Sequence, residues 1–309
     1  MHGSIPGCGV DPMTALPGKL SAEFPSRMRA GLARFWRHRG FVLGLALLSV
    51  IVLTAVLAPL LAPHDPYEQN LLKRLVTPFW MEGSDPAYPL GTDQLGRDLL
   101  SRLLYGARVS LSIGFAAMLM SAVIGVTLGV LAGYFGGRVD ATISFLITAR
   151  LALPVILVAL AVVALAGASL FIVILVLGSL IWDRFALVTR ANVQQLRSAE
   201  FVTAARLQGL SPLQVVLREI LPNIVNNLIV IATLEVAGAI IFEAALSFLG
   251  LGVPPPLPSW GRMVAEGKSE ILFDPWLITI PGTMLFVLVL AINLVGDGLR
   301  DITAPESRN

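Results

Sequence analysis

Residues 41–61 run without a charged side chain, and about 20 apolar residues suffice for a helix to cross the hydrocarbon core of a bilayer. Further apolar runs cover 109–132, 141–163, 170–188, 224–248 and 276–295. The pattern predicts an all-α integral membrane protein with six transmembrane helices. A cleaved signal peptide has a shorter core than 41–61, so the first run is expected to stay as an anchor.

Between the runs the pattern changes. Residues 1–25, rich in Gly, Pro and small polar side chains, predict a flexible tail. The stretch 26–39 mixes Arg27, Arg29, Arg34, Arg37 and Arg39 with Met28, Leu32, Phe35 and Trp36, as a basic amphipathic helix at the membrane surface would. It leads into the first span, so 26–61 forms one unit. Residues 62–108 carry Pro63, Pro66, Pro78, Pro86 and Pro89 and predict a small cap outside the membrane. The end of that segment places Leu99, Leu100, Leu103 and Leu104 on one helical side, with Arg97, Asp98, Ser101 and Arg102 largely on the other, which predicts an interfacial helix ahead of the second span. Residues 109–299 form a five-helix core, and 300–309 a short terminal segment.

Charge fixes the orientation. Arg138, Arg184, Arg190, Arg197, Arg206, Arg218 and Arg300 fall with the N-terminal arginines on one side, whereas 62–108 offsets its basic residues with Asp65, Glu68, Glu82, Asp85, Asp93 and Asp98. The loop 250–275 has only Arg262 and Lys268 as basic residues. The positive-inside rule then puts both termini in the cytoplasm. Composition agrees: hydrophobic residues make up 56% and charged residues 14%, with a mean hydropathy of +0.80. A formal charge of +2 gives no footprint for nucleic acid. Cys8 is alone, which excludes an internal disulfide and a cysteine-built metal site.

The most informative polar stretch is the loop 191–223, which reads helix, turn, helix. Ala204 and Ala205 give the first helix a small, closely approachable surface, Gly209 suits its C-terminus, and Ser211-Pro212 matches the cap and first position of the second. Such a hairpin can pass force from a soluble partner to the membrane.

Four motifs, in order along the chain, carry a family resemblance. They are LGTDQLGRDLLSR at 90–102, Ala204-Ala205 with Gly209 and Leu221-Pro222, LSFLGLGVPPPLPSWG at 246–261, and GDGLRD at 296–301. From about Arg34 onward the chain resembles the C-type permease subunits of dipeptide and oligopeptide ATP-binding-cassette importers, a family that also serves nickel, glutathione and related substrates. The resemblance implies a type I importer permease fold in a bacterial inner membrane. It also implies a second homologous permease, two ATP-binding subunits that hold ATP and Mg, and an extracytoplasmic substrate-binding protein as partners, with no cofactor in this chain. Glu200, Ala204, Ala205, Gly209, Leu221 and Pro222 would form the ATPase-coupling element. Thr203 stands where the general motif has Glu, and Glu219 where peptide permeases commonly have His. By the same resemblance, Trp260 and Arg262 are candidate contacts for the binding protein, and peptide is the expected substrate, with glutathione or a nickel chelate as alternatives.

Gly261, Gly267, Lys268 and Ser269 come close to a phosphate-binding loop, but five residues rather than four separate the first Gly from Gly-Lys-Ser, and no strand precedes them. The expectation is a non-catalytic subunit. Gly125, Gly129 and Gly133 recur every four residues, a spacing that lets helices approach closely in lipid. Arg150 and Glu235 lie deepest in the spans, where a charge facing lipid costs several kcal/mol. They either pair with each other or line the pathway, and Glu243 near the outer end of the fifth span is a further pathway candidate. A self-sufficient secondary transporter would show internal repeats, and none is evident. A membrane enzyme would need a catalytic constellation, yet His2, His38 and His64 all lie outside the spans.

Overall fold

The computed structural model describes residues 38–303, whose regular elements are helices with no β-sheet among them. The expected tail 1–25, nearly all of the basic amphipathic stretch and residues 304–309 lie outside the described residues.

Helix α1 spans Arg39–Val56 and is capped by His38, whose Nδ1 accepts the Phe41 N–H at 3.1 Å. Its run breaks at Leu57, and a short turn Ala58–Leu61 with Pro59 near its start completes the first apolar segment. Phe41, Gly44, Ile51 and Ala55 are buried, whereas Leu43, Val50 and Leu53 on the remaining surface are exposed, as lipid-facing side chains are. The loop that follows folds back on itself through backbone bonds such as Thr92 N–H to Val76 C=O at 3.1 Å.

Helix α2, Leu99–Phe135, begins at Asp98, whose carboxylate accepts the Ser101 N–H at 2.9 Å, and stops at Gly136. At 37 residues it is about 55 Å long, so the interfacial helix expected before the second span is the first part of the span itself. Residues 99–135 contain no proline to separate the two. The polar side of that part is not turned to water either, because Ser101 and Arg102 are buried by the protein.

The third apolar run is not one helix. Helix α3, Gly137–Leu151, and α4, Val155–Ala166, are bent by 84° at the intervening residues. Pro154 has no N–H to continue the ladder, and it disfavours helical geometry in the residue before it. The fourth run is also divided, into α5, Leu170–Leu180, and α6, Asp183–Leu196. Ser121 of α2 donates to the Ile181 carbonyl at 2.7 Å, which satisfies backbone freed at that break.

Beyond α6 come α7, Glu200–Leu207, and α8, Pro212–Phe248, which passes through a wide turn at Val216–Ile220 just before Pro222. That turn is where the helix accommodates the missing proline N–H. Helix α9, Trp260–Gly267, and α10, Trp276–Thr303, complete the described chain, with Pro281 inside α10. Among the described residues five segments are long and apolar enough to cross a membrane, and six if the bent α3–α4 pair is one span.

Glycine decides the closest approaches. A Cβ at Gly125 would lie 2.4 Å from the Trp182 carbonyl oxygen, one at Gly129 would lie 2.7 Å from that of Ala186, and one at Gly133 would lie 2.8 Å from that of Arg190. The four-residue repeat is therefore the seam between α2 and α6. Gly44 admits Leu294 in the same way, and His38 Nε2 lies 3.0 Å from Asp301 Oδ2, so the start of α1 and the end of α10 share one face of the bundle.

Candidate functional site

Three polar groups stand out against this apolar frame, at three depths. The middle one is at the helix breaks. Gly125 is about ten residues, or about 15 Å, before the end of α2, and it packs on Trp182 and Phe185. The first turn of α6 thus packs against α2 about 15 Å before that helix ends.

Arg150, at the end of α3, reaches Asp183 with Nη2 to Oδ1 at 3.2 Å. Arg184, the next residue, lies 3.5 Å from Glu235 of α8 through Nε and Oε1. Arg150 and Glu235 therefore do not pair with each other: each takes a neighbour on α6. Arg150, Asp183 and Glu235 have little exposed side chain, but that of Arg184 is 66% exposed. The sequence reading placed Arg184 with the cytoplasmic arginines and passed over Asp183. The available signal was Asp183-Arg184 interrupting an otherwise uncharged run from Leu170.

On the face where α1 starts and α10 ends, the hairpin expected from 191–223 is present. Val202 and Ala205 of α7 pack on Val193, Val215, Val216, Ile220 and Ile224. Gly209 takes φ +85°, the left-handed geometry that ends a helix without the steric cost a Cβ brings. Ser211 and Gln214 form a reciprocal capping box for α8. Ala204 and Ala205 thus have opposite roles, since Ala205 is buried in the hairpin and Ala204 is exposed beside Glu200, Thr203 and Leu207. These four residues have the i, i+3, i+4, i+7 spacing of one helix face. Leu207 is 85% exposed. Leu221 is half-buried and Pro222 exposed in the first part of α8.

Polar contacts hold the hairpin, and the helix that leads into it, to the spans. The Arg206 guanidinium lies over the Tyr134 ring at 4.9 Å, near the end of α2. At the other end of the same loop, Arg190 of α6 grips Asp140 of α3 through both carboxylate oxygens, and Gln194 donates to the same carboxylate at 3.2 Å.

On the opposite face, Glu266 of α9 receives Arg102 at 2.6 Å, Arg262 at 2.9 Å and Arg97 at 3.0 Å, while Asp93 faces Arg97 at 2.6 Å and Arg102 at 3.3 Å. This lattice fastens the segment 93–102 to α9. Arg102 is 1% exposed. Trp260 is 2% exposed and its indole N–H donates to the Leu103 carbonyl at 2.8 Å, so it is a packing anchor between α2 and α9. In this chain the indole is consumed inside rather than presented at the surface. Arg262 is half-buried, held by Glu266 and the Val253 carbonyl. Glu243 is fully buried and accepts from Ser247 at 2.7 Å and from Ser259 at 2.8 Å, pinning the loop 249–259 to α8. The near-match to a phosphate loop spans α9 and its end, where Gly261 abuts Ala244 and Lys268 lies over the Phe248 ring at 4.8 Å. Its glycines serve packing.

Residues 125–309 match the family model of the binding-protein-dependent transport system inner membrane component. The chain belongs to that permease family. Residues 26–78 also match the N-terminal TM domain of oligopeptide transport permease C. The permease is similar over nearly its whole length to the di/tripeptide transport system permease protein DppC of Pseudomonas aeruginosa, with 42% identity over 94% of this chain and 95% of that relative. The glutathione transport system permease protein GsiD of Pectobacterium atrosepticum is 37% identical over 91% of this chain and 93% of that protein. Among solved structures, a chain of the MetNI methionine ABC transporter in an inward facing conformation superposes with a TM-score of 0.55 at 20% identity, over 67% of this chain and 98% of that chain. The all-helical fold of this permease is the type I ABC importer fold expected from the sequence.

Proposed function

We propose that this permease forms one half of the translocation pathway of an ATP-driven importer for di- or oligopeptides. It would pair with a homologous second permease, take substrate from an extracytoplasmic binding protein, and couple to two separate ATPase subunits that bind ATP and Mg. The peptide assignment rests on the curated relatives, whose names include di/tripeptide and dipeptide permeases at 42% and 40% identity. In this reading both termini and the hairpin are cytoplasmic, and 57–98 and α9 are outside.

The observation that carries the coupling role is the outward face of α7. Glu200, Thr203, Ala204 and Leu207 leave a small, partly apolar face of the hairpin uncovered, with the small side chain of Ala204 at its centre to let a partner approach closely. Movement of a docked ATPase would reach α2 through Arg206 on Tyr134, and the middle of the membrane through α6. ATP binding would thereby shift the populations of inward-facing and outward-facing states.

Copurification from native membranes tests the coupling role. Wild type should bring down an ATPase subunit, and Ala204→Glu and Leu207→Asp should lose it while the permease remains folded. Ala205 is unsuitable for this test because it is buried. Retention of the ATPase by both variants would remove the hairpin from the coupling mechanism. Uptake of a radiolabelled tripeptide into proteoliposomes containing the full complex tests the substrate.

A further inference from the structure

The exposed guanidinium of Arg184 has no place in the coupling path or in the outer lattice. It sits at the first turn of α6, about 15 Å from the cytoplasmic end of α2 by the register with Gly125. An arginine at that depth cannot face hydrocarbon without a penalty of several kcal/mol. Its ion-pair partner among the described residues, Glu235, is buried behind it with 5% side-chain exposure and engages Nε, whereas the arginine side chain is 66% exposed. The neighbouring pair differs: Arg150 and Asp183 are buried together.

Backbone around this point also favours water over lipid. The chain is interrupted at 152–154 and again at 181–182, and the ion pair of Arg150 with Asp183 brings these breaks to the same depth. Non-helical backbone at membrane depth is tolerated where it is enclosed by protein or lines a water-filled cavity. Residues 151–154 are exposed.

We propose that Arg184 lines the translocation path and receives the C-terminal carboxylate of the peptide in transit, with Glu235 as the positioning residue that aims it. The proposal rests on the peptide-importer reading above. A guanidinium suits the task because its planar fork matches a carboxylate with two parallel hydrogen bonds. Every linear peptide with a free C-terminus presents that carboxylate whatever its side chains, so one fixed cation serves many sequences. The pairing with Glu235 at 3.5 Å is loose enough to leave the arginine available to a second carboxylate.

The experiment uses the complete importer in proteoliposomes and compares ATP-driven uptake of trialanine with that of trialanine amide. The binding protein is loaded to equal occupancy with each, checked by calorimetry. Wild type should favour the free acid. Arg184→Ala and Arg184→Gln should bring the ratio of acid to amide uptake toward one, a fall of about tenfold for a lost charge-assisted pair, and Arg184→Lys should retain part of it. Glu235→Gln should lower the ratio less than Arg184→Ala. An unchanged ratio, or equal loss of both substrates, would overturn the role of Arg184 while leaving the importer reading intact. Failure of the Arg184 variants to copurify with the second permease would reassign the guanidinium to a contact between chains and overturn it as well. Absence of uptake of either peptide by wild type would overturn the peptide reading, and the proposal with it.

Discussion

Arg150 closes on Asp183 at 3.2 Å and so joins the break between α3 and α4 to the break between α5 and α6. Both groups are largely buried, and removing one partner of a buried pair leaves the other charge uncompensated. Arg150→Met is expected to cost roughly 3 kcal/mol of stability, read as a lower unfolding midpoint in detergent. Arg150→Met with Asp183→Leu should recover part of the loss, because the double change leaves no buried charge at that contact.

The seam between α2 and α6 admits no side chain at its centre. Gly129→Leu would drive its Cβ against Thr189 and the Ala186 carbonyl, at 2.6 and 2.7 Å before any relaxation. Overpacking of this kind costs about 1–3 kcal/mol, and more where two backbones must separate. The measurement is the yield of monodisperse protein by size-exclusion chromatography, which should fall sharply for Gly129→Leu and only slightly for Gly238→Leu, where a Cβ meets nothing within 4 Å.

Glu266 is the shared acceptor of three arginines on the face opposite the hairpin. Glu266→Gln should release α9 from the 93–102 segment, with a loss of roughly 2–3 kcal/mol because Arg102 stays buried with only Asp93 to balance it. Hydrogen exchange should accelerate in 93–104 and 260–267 together. Acceleration confined to 260–267 would show that the lattice is not one unit.

The Lys73–Asp85 pair outside the membrane gives a pH dependence with a definite sign. The Lys73 ammonium donates to Asp85 at 2.8 Å and, together with the Ala87 N–H, holds that carboxyl below its ordinary value of 3.8. The carboxylate raises Lys73 above 10.5. A depressed acid stabilises the fold above its unfolded pKa and loses that contribution as pH falls through the lower folded value. A raised lysine stabilises below its unfolded pKa and loses that contribution as pH rises through the higher folded value. The tie should be constant near neutrality and weaken in acid below pH 3.8. Limited proteolysis of 70–90 should therefore be flat from about pH 5 to 8, and in Asp85→Asn it should be faster near neutrality with the acid-dependent step removed. The pair is solvent-exposed, so salt should weaken it as well.

How much of the site was legible depends on the kind of signal involved. The hairpin was readable because its parts are local: Gly209 ends a helix and Ser211-Pro212 starts the next within a few residues. The glycine seam was also readable, since a four-residue repeat lies on one helix face whatever the partner. The burial of Trp260 was not readable, because an aromatic residue in a polar loop looks the same whether it faces a partner or fills the space between α2 and α9. The run 141–163 read as one span although Pro154 lies inside it, and the size of the 84° bend depends on what each half packs against.

By itself the sequence determined that the chain crosses a membrane several times, where its hairpin lies, and which importer family it resembles, because run length, charge bias and turn chemistry act over neighbouring residues. Only the tertiary structure decided which charges meet. Arg150, Asp183, Arg184 and Glu235 come from three separate helices, and their pairing follows from the close approach that Gly125, Gly129 and Gly133 allow between α2 and α6, together with the two helix breaks. Electrostatic pairing depends on distance in space, and the order of residues along a chain does not contain that distance until the helices have packed.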